Sequence, residues 1–216
     1  DLNADQIAVH ETSWYEENRV FQILGRRVDR IDTDSKEVVL DDGMKLKYTK
    51  LIYALGSECF VPPIKGADKK NVFAVRRLDD TKKIADVLPQ VKNVIVIGGG
   101  VLGLEAAWEL KKAKCHVTVL ELAPVIMGRQ LDEPAAELLK KISENQDIEI
   151  RTGVKIAAIE GDDFVSGIRM EDGEVLPADI VVVSCGVRAN TAVAKDAGIE
   201  VDRSVVVNAR METSAE

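Results

Sequence analysis

Three glycines with the spacing Gly98-x-Gly100-x-x-Gly103 stand between an apolar run and a helical pattern. The run at 94–97 reads Val-Ile-Val-Ile, and apolar residues then recur at helical spacing as far as Lys112. Glycines placed this way allow a tight turn and a close backbone approach to phosphate, and N–H groups at a helix start favour anions. The spacing therefore predicts a loop that binds the pyrophosphate of a dinucleotide, although a glycine turn used only for packing is the alternative.

A carboxylate follows at the end of the next apolar strand. The residues 117–120 read Val-Thr-Val-Leu, and Glu121 comes 18 residues after Gly103 (121 − 103 = 18). A carboxylate there accepts hydrogen bonds from ribose hydroxyls and repels a 2′-phosphate, which predicts a preference for NAD(H) over NADP(H). FAD is bound by the same type of loop, so the glycines alone do not choose between NAD and FAD.

The order of predicted elements around the loop indicates an α/β fold. Strand, helix, strand, helix and strand are followed by alternating segments with tight turns and by a last apolar strand at 180–183. Continuous apolar runs are typical of parallel strands that are covered on both faces. The pattern predicts a Rossmann-like three-layer domain with a β-meander, in which 94–97, 117–120 and 180–183 share one sheet.

The chain also repeats part of this pattern. Gly25 and Gly153 lie 128 residues apart, whereas Gly43 and Gly173, like Gly56 and Gly186, lie 130 apart. The elements between them have the same order, and the segment 51–54 is predicted to be an apolar strand that ends at Gly56. The sequence therefore predicts a second, partial domain of the same type.

This partial domain lacks the opening of the other one. By the same spacing its glycine loop falls about 30 residues before Asp1, so we expect the chain to start inside a domain. A unit that is naturally short is the alternative, but its strands would then lack their sheet neighbours.

Composition narrows the classes of partner and compartment. The net charge of −8 disfavours nucleic acid and anionic membranes, and no apolar run is long enough to span a bilayer. Cys59, Cys115 and Cys185 lie far apart without a CxxC pair, which suits the reducing cytoplasm and predicts unpaired thiols. No spacing of histidines or cysteines indicates a metal site.

Several stretches beyond the loop resemble the pyridine nucleotide–disulfide oxidoreductase superfamily. The most specific is Leu-Ala-Pro at 122–124 followed by Met-x-Arg-Gln-Leu-Asp at 127–132, and others are Trp-Tyr-Glu-Glu-Asn at 14–18 and Gly-Val-Arg-x-Asn-Thr at 186–191. Within that superfamily the chain is most similar to the flavoprotein part of the nitrite reductase large subunit and to rubredoxin and ferredoxin reductases. Tyr-Ala-Leu-Gly at 53–56 departs from the Ala-Thr-Gly that is common in the family.

The resemblance implies cofactors and domains. Residues 1–75 would form a partial FAD-binding domain, 76–204 an NAD(P)-binding domain, and 205–216 the start of a return segment to the FAD domain. Members of the family pass a hydride from the nicotinamide to FAD and then electrons to an external acceptor or redox partner. A homo-oligomer is compatible with the resemblance.

The candidate site residues form two groups, and no catalytic residue is identified. Glu105 can contact the nicotinamide amide, or it can be a carboxylate that the helix dipole stabilises. Arg129 can pack against adenine or be a solvated loop residue. Arg76 can lie near the flavin or on the surface. The residues predicted for NAD are Gly98, Gly99, Gly100, Val101, Leu102, Gly103, Glu105, Glu121, Arg129, Cys185 and Gly186, and those predicted for FAD are Ala54, Gly56 and Arg76.

Three functions remain open at this point. The first is NADH-dependent reduction of FAD for an external electron acceptor. The second is a nucleotide-binding module without turnover, because a chain without the first glycine loop is expected neither to hold FAD tightly nor to turn over by itself. The third is a disulfide reductase of the same superfamily.

Overall fold

The computed structural model describes residues 8–215, and its internal contacts divide the chain into two units. Unit 1 contains the described residues as far as Glu58 together with those from Arg188 onward, and unit 2 is Cys59–Val187. The elements of the chain, in order, are α1 (Thr12–Glu17), β1 (Val28–Asp32), β2 (Glu37–Leu40), β3 (Lys45–Lys47), β4 (Ser57–Cys59), β5 (Val72–Ala74), α2 (Leu78–Val87), a 3-10 turn (Leu88–Gln90), β6 (Asn93–Ile97), α3 (Val101–Lys112), β7 (His116–Leu120), α4 (Glu133–Glu144), β8 (Ile148–Arg151), β9 (Ile156–Glu160), β10 (Gly167–Met170), β11 (Val175–Pro177), β12 (Ile180–Val183), β13 (Val187–Ala189) and α5 (Ala192–Asp196).

Unit 2 is built on a five-stranded parallel sheet with the order β5-β12-β6-β7-β8. The strands predicted at 94–97, 117–120 and 180–183 are adjacent in it, which confirms the predicted sheet. All four residues of β12 are buried, as expected for a parallel strand that is covered on both faces.

Two apolar layers cover this sheet. Alternate residues such as Val94 and Val96 face a core that includes Ala107 and Leu110 of α3. The residues between them face a second core, which includes Ile168 of the antiparallel sheet β9-β10-β11. Helices, parallel sheet and meander therefore form the three layers that the sequence predicts.

Unit 1 contains a second meander, which reproduces the first in detail. The three-stranded sheet β1-β2-β3 has the strand lengths of β9-β10-β11, offset by 128 residues in the first strand and by 130 in the others. Both meanders also have a bulge at the same point, since Asp29 is skipped in the pairing of β1 with β2 and Ala157 in that of β9 with β10. A shared irregularity of this kind supports a duplicated unit, because bulges are specific features of a strand.

The predicted strand at 51–54 is wrong. These residues form no strand in the structure, and Ile52 is 89% exposed. Its counterpart β12 is hydrogen-bonded on both sides by β5 and β6. No such neighbours lie beside 51–54 among the described residues, and an apolar run without partners cannot satisfy its backbone groups as a strand.

The two contact units divide at 58/59 and 187/188, whereas the domains that the resemblance implies divide at 75/76 and 204/205 and stay predictions. β5, at 72–74, pairs with β12 and so belongs to the parallel sheet of unit 2. α5 packs on β1, which places the residues after Ala189 in unit 1. The FAD and NAD assignments of the predicted domains are separate from these bounds and stay predictions.

No helix in the described part of the chain is long and apolar enough to cross a membrane.

Asp179 at the start of β12 is expected to stabilise the centre of the parallel sheet. Its Oδ2 accepts the N–H groups of Lys92 and Asn93, each at 2.8 Å. Asp179→Ala should lower the free energy of unfolding by about 1–3 kcal/mol, because it removes a charged acceptor from two backbone donors. Urea denaturation measures this change. Asp163→Ala, at an exposed ion pair with Lys70, is the matched control and should cost under about 1 kcal/mol; equal losses in the two variants would contradict the role of Asp179.

Candidate dinucleotide-binding site

The carboxyl ends of three adjacent strands bring the candidate residues of unit 2 together. β12, β6 and β7 are neighbours in one parallel sheet, so their ends lie side by side at one edge. β12 leads into Ser184, β6 into Gly98, and β7 into Glu121. Ligands of open α/β sheets bind at such an edge.

The glycine loop is shaped by two close approaches. Gly98 has a φ of +114°, and a Cβ on it would overlap the carbonyl oxygen of Ser184. A Cβ on Gly103 would overlap the carbonyl oxygen of Gly98 and stand 3.4 Å from the Cβ of Ser184. Both positions therefore require glycine, because α3 crosses the ends of β6 and β12 at backbone distance.

The fold itself does not require glycine at position 100. Gly100 is the N-cap of α3, makes no side-chain cap, and has ordinary dihedral angles of φ −83° and ψ −176°. A Cβ on it would meet nothing within 4 Å. The space in front of Gly100 is therefore open, which suits a ligand that approaches the backbone.

The first turn of α3 presents backbone donors to this space. Its first internal hydrogen bond runs from the Leu104 N–H to the Gly100 oxygen at 3.0 Å. The N–H groups of Val101, Leu102 and Gly103 precede it and have no acceptor within the helix. With the positive end of the helix dipole, they form a set of donors that suits a phosphate group.

Glu121 is held against the loop by two backbone hydrogen bonds. Its Oε2 accepts the Gly99 N–H at 2.6 Å, and its Oε1 accepts the Ala123 N–H at 2.7 Å. Each carboxylate oxygen keeps a further lone pair, so the group can still accept hydrogen bonds from ribose hydroxyls. The carboxylate is thus already oriented, at the edge where the sequence predicts the adenosine ribose.

The segment after Glu121 closes against the loop from the other side. The Met127 N–H donates to the Gly99 oxygen at 2.9 Å, and a Cβ on Gly99 would stand 2.8 Å from Cγ2 of the buried Ile126. Gly99 is therefore enclosed between Glu121 and this segment. Arg129 lies on the exposed part of the same segment.

Cys185 lies at the same edge with its thiol turned inward. Its Sγ lies 3.6 Å from the Ile97 oxygen, and burial together with the charge of Glu121 raises the pKa of the thiol to about 11. Gly186 follows with a φ of +95° and is exposed. Cys185 is thus a neutral, partly buried group beside the loop, which packs as a small apolar residue.

Glu105 lies on α3 beyond its first turn, and Arg76 lies just before α2. Glu105 is exposed on α3, in the second turn after Gly100. The backbone of Arg76 is fixed at the start of α2, where the Asp80 carboxylate accepts the N–H groups of Arg77 and Arg76 at 2.9 and 3.0 Å. Those hydrogen bonds, that of Arg77 first, hold the pKa of Asp80 below its usual value.

Ala54 and Gly56 belong to unit 1 and are exposed in the turn that precedes β4. Gly56 has a φ of +68°. They correspond through the 130-residue repeat to Ser184 and Gly186 of unit 2. No strand, glycine loop and helix in succession accompany them among the described residues of unit 1, so the fit of FAD there rests on the repeat.

The sequence analysis did not single out Ser184, Ile126 or Asp80. Ser184 becomes important only because parallel pairing places it against Gly98 and Gly103. A signal for Asp80 was available, since an acidic residue in the first turn of a predicted helix is a capping signature.

The comparison with family models gives one match over residues 3–216, to the pyridine nucleotide-disulphide oxidoreductases. The chain belongs to this family. Its relatives include the nitrite reductase [NAD(P)H] of Bacillus subtilis, which is 40% identical over 213 residues. Another is putidaredoxin reductase CamA of Pseudomonas putida, which is 32% identical over 217 residues.

A solved structure has the same fold. The covalent complex of putidaredoxin reductase with putidaredoxin is similar with a TM-score of 0.91 and 30% identity, covering 99% of this chain and 53% of that one. The two relatives in sequence are matched over 99% and 98% of this chain but over only 26% and 51% of their own lengths. The chain thus spans about a quarter to a half of these relatives.

Gly103 and Gly100 are predicted to differ in how much they contribute to stability. Gly103→Ala should lower the free energy of unfolding by about 1–3 kcal/mol, because its Cβ would overlap the Gly98 carbonyl. Gly100→Ala should change it by less than about 0.5 kcal/mol, because its Cβ meets nothing. Denaturation of both variants in urea provides the comparison, and a loss in Gly100→Ala as large as that in Gly103→Ala would refute this view of the loop.

The raised pKa of Cys185 predicts slow alkylation. With a pKa of about 11, only about one thiol in a thousand is ionised at pH 8, and the thiolate is the reactive form. Iodoacetamide labelling of Cys185, followed by peptide mass spectrometry, should be far slower in the folded than in the urea-unfolded protein. The rate should rise about tenfold per pH unit from pH 8 to 10. Equal rates in both states would show that the thiol is neither buried nor perturbed.

Proposed function

We propose that the chain binds NADH at the glycine loop of unit 2 and contributes to an FAD-dependent reductase. When bound, FAD accepts two electrons and a proton equivalent from NADH and passes the electrons to an external acceptor. The observation that carries the NADH half is the arrangement of loop and carboxylate. An open Gly100, unpaired donors of the first turn of α3 and a fixed Glu121 lie at one sheet edge.

The preference for NADH over NADPH is part of the proposal. The Glu121 carboxylate is held beside the loop, where a 2′-phosphate would bring its charge close to it. The residues Leu122, Ala123 and Pro124 that follow offer no cation to receive that phosphate. Arg129, further along the same segment, is the nearest candidate cation in sequence and is exposed.

The FAD half of the proposal is supported by the repeat. Ala54, Leu55 and Gly56 correspond to Ser184, Cys185 and Gly186, and in unit 2 this stretch lies against the nucleotide loop. A unit duplicated from a dinucleotide-binding fold would use the same edge for its own dinucleotide. Arg76 is proposed to lie near the flavin by resemblance to the family.

The acceptor is proposed from the named relatives. Putidaredoxin reductase has been solved as a covalent complex with a second protein, putidaredoxin. A nitrite reductase and an assimilatory nitrate reductase electron transfer subunit of Bacillus subtilis are 40% and 36% identical to this chain. We therefore propose an external electron acceptor or redox partner protein, with nitrite-reductase-type electron transfer as the specific form.

Calorimetric titration tests the nucleotide site. NADH should bind more tightly than NADPH, and Gly100→Ala should weaken NADH binding by about tenfold or more, since a methyl group would enter the space in front of the loop. The same substitution should leave the unfolding free energy unchanged, which separates a binding effect from a folding effect. Tighter NADPH binding would overturn the role of Glu121, and unchanged NADH affinity in Gly100→Ala would overturn the site.

The redox half is tested in the natural protein that contains this sequence. Bound FAD gives a yellow protein. Its visible flavin absorbance should fall when NADH is added in the absence of oxygen. The Gly100→Ala protein should keep its flavin but be reduced more slowly at low NADH. A colourless wild-type protein that gains no flavin on incubation with FAD would contradict this half of the function.

A further inference from the structure

Three hydrogen bonds join Asn190 to the segment 53–56 of unit 1. Its backbone N–H donates to the Gly56 oxygen at 3.0 Å, and its side-chain Nδ2 donates to the Leu55 oxygen at 2.9 Å. The hydroxyl of Tyr53 in turn donates to the backbone oxygen of Asn190 at 2.6 Å. One residue thus contacts three of the four positions from 53 to 56.

These hydrogen bonds fix the orientation of two successive peptide groups. The C=O of Leu55 and the N–H of Gly56 belong to one planar peptide and point in opposite directions. Because the Leu55 carbonyl points toward the Asn190 side chain, the Gly56 N–H points away from it. That N–H has no hydrogen-bond partner among the described residues, and Gly56 is exposed.

The comparison with unit 2 shows why such a clamp is needed. The corresponding residues there, Val183 to Gly186, continue from β12, which is held on both sides by β5 and β6. The segment before Gly56 has no such strands beside it among the described residues. Asn190 follows β13, which pairs with β4 directly after Gly56, so the bonds from Asn190 extend that pairing to residues 53–56, where the parallel neighbours of unit 2 have no counterpart among the described residues.

The turn also needs a specific conformation. Gly56 has a φ of +68°, and a Cβ on it would meet nothing within 4 Å, so glycine is favoured there by the backbone conformation and not by lack of space. A turn held in this conformation keeps its outer side accessible, since Ala54 and Leu55 are also exposed there.

We propose that Asn190 is a positioning residue that holds the turn at 53–56 in the conformation that receives FAD. This inference rests on the proposed function, in which Ala54 and Gly56 contact the flavin cofactor. It assigns to Asn190 no contact with FAD or substrate. Its effect is transmitted through the Leu55 and Gly56 carbonyls.

The experiment compares Asn190→Ala with a matched asparagine variant in the natural protein that contains this sequence. Asn208→Ala is the control, because Asn208 also lies in unit 1 and donates through its side chain, at 2.7 Å to Glu212. Tyr53→Phe is the second test variant, because it removes one bond of the clamp and leaves a folded, nearly isosteric side chain. The measurements are the FAD dissociation constant, the visible flavin spectrum, the NADH dissociation constant and the circular dichroism of each variant.

Asn190→Ala should weaken FAD binding by about tenfold and shift the flavin spectrum, with a smaller effect of the same direction in Tyr53→Phe. Asn208→Ala should leave the FAD constant unchanged, and NADH binding should change by less than about twofold in all three variants, because the glycine loop lies in unit 2. If Asn190→Ala fails to fold, Tyr53→Phe decides the matter by the same readouts.

Three outcomes would overturn the inference, and they differ in what they reject. A wild-type protein that binds FAD, with variants of unchanged FAD affinity and spectrum, overturns the role of Asn190 alone. A wild-type protein that binds NADH but no FAD overturns the FAD half of the proposed function, and the role of Asn190 with it. Equal weakening of FAD binding in Asn208→Ala would show a general effect of destabilising unit 1, which also rejects the positioning role.

Discussion

The crossing of α3 over the ends of β6 and β12 brings the backbones of Gly98, Gly103 and Ser184 into direct contact. A side chain at either glycine would push the helix away from the sheet. The helix start would then no longer lie at the sheet edge, and its N–H groups would not converge on the space in front of Gly100. The nucleotide binding proposed for unit 2 thus depends first on a packing constraint and only then on charge.

Glu121 links this packing to recognition. Its two oxygens accept N–H groups from Gly99 and Ala123, so the carboxylate stabilises the folded loop before any ligand arrives. An acid that is preorganised in this way loses little freedom when it meets a ribose. The same residue therefore contributes to the shape of the loop and, in the proposed function, to the choice of nucleotide.

The two units show which parts of a duplicated fold can form from contacts between segments that are close in sequence. The meanders β1-β2-β3 and β9-β10-β11 share strand lengths and even a bulge, because antiparallel strands joined by tight turns find their partners nearby in sequence. Parallel strands depend on distant segments instead. The run at 51–54 has the apolar residues of such a strand but no partners among the described residues, so its turn is held by side-chain hydrogen bonds from Asn190 and Tyr53.

Local pattern in the sequence was enough to predict the glycine loop, the strands β6, β7 and β12 in one sheet, and the repeat. These features depend on periodicity and on glycine spacing, which are written in neighbouring residues. Only the tertiary structure placed β5 beside β12, Ser184 against the loop, and Asp80 under the backbone of Arg76. Those contacts join residues distant in sequence or depend on a helix boundary, and the order of predicted elements did not specify them. The strand predicted at 51–54 failed for the same reason, since a strand is completed by its neighbours and not by its own composition.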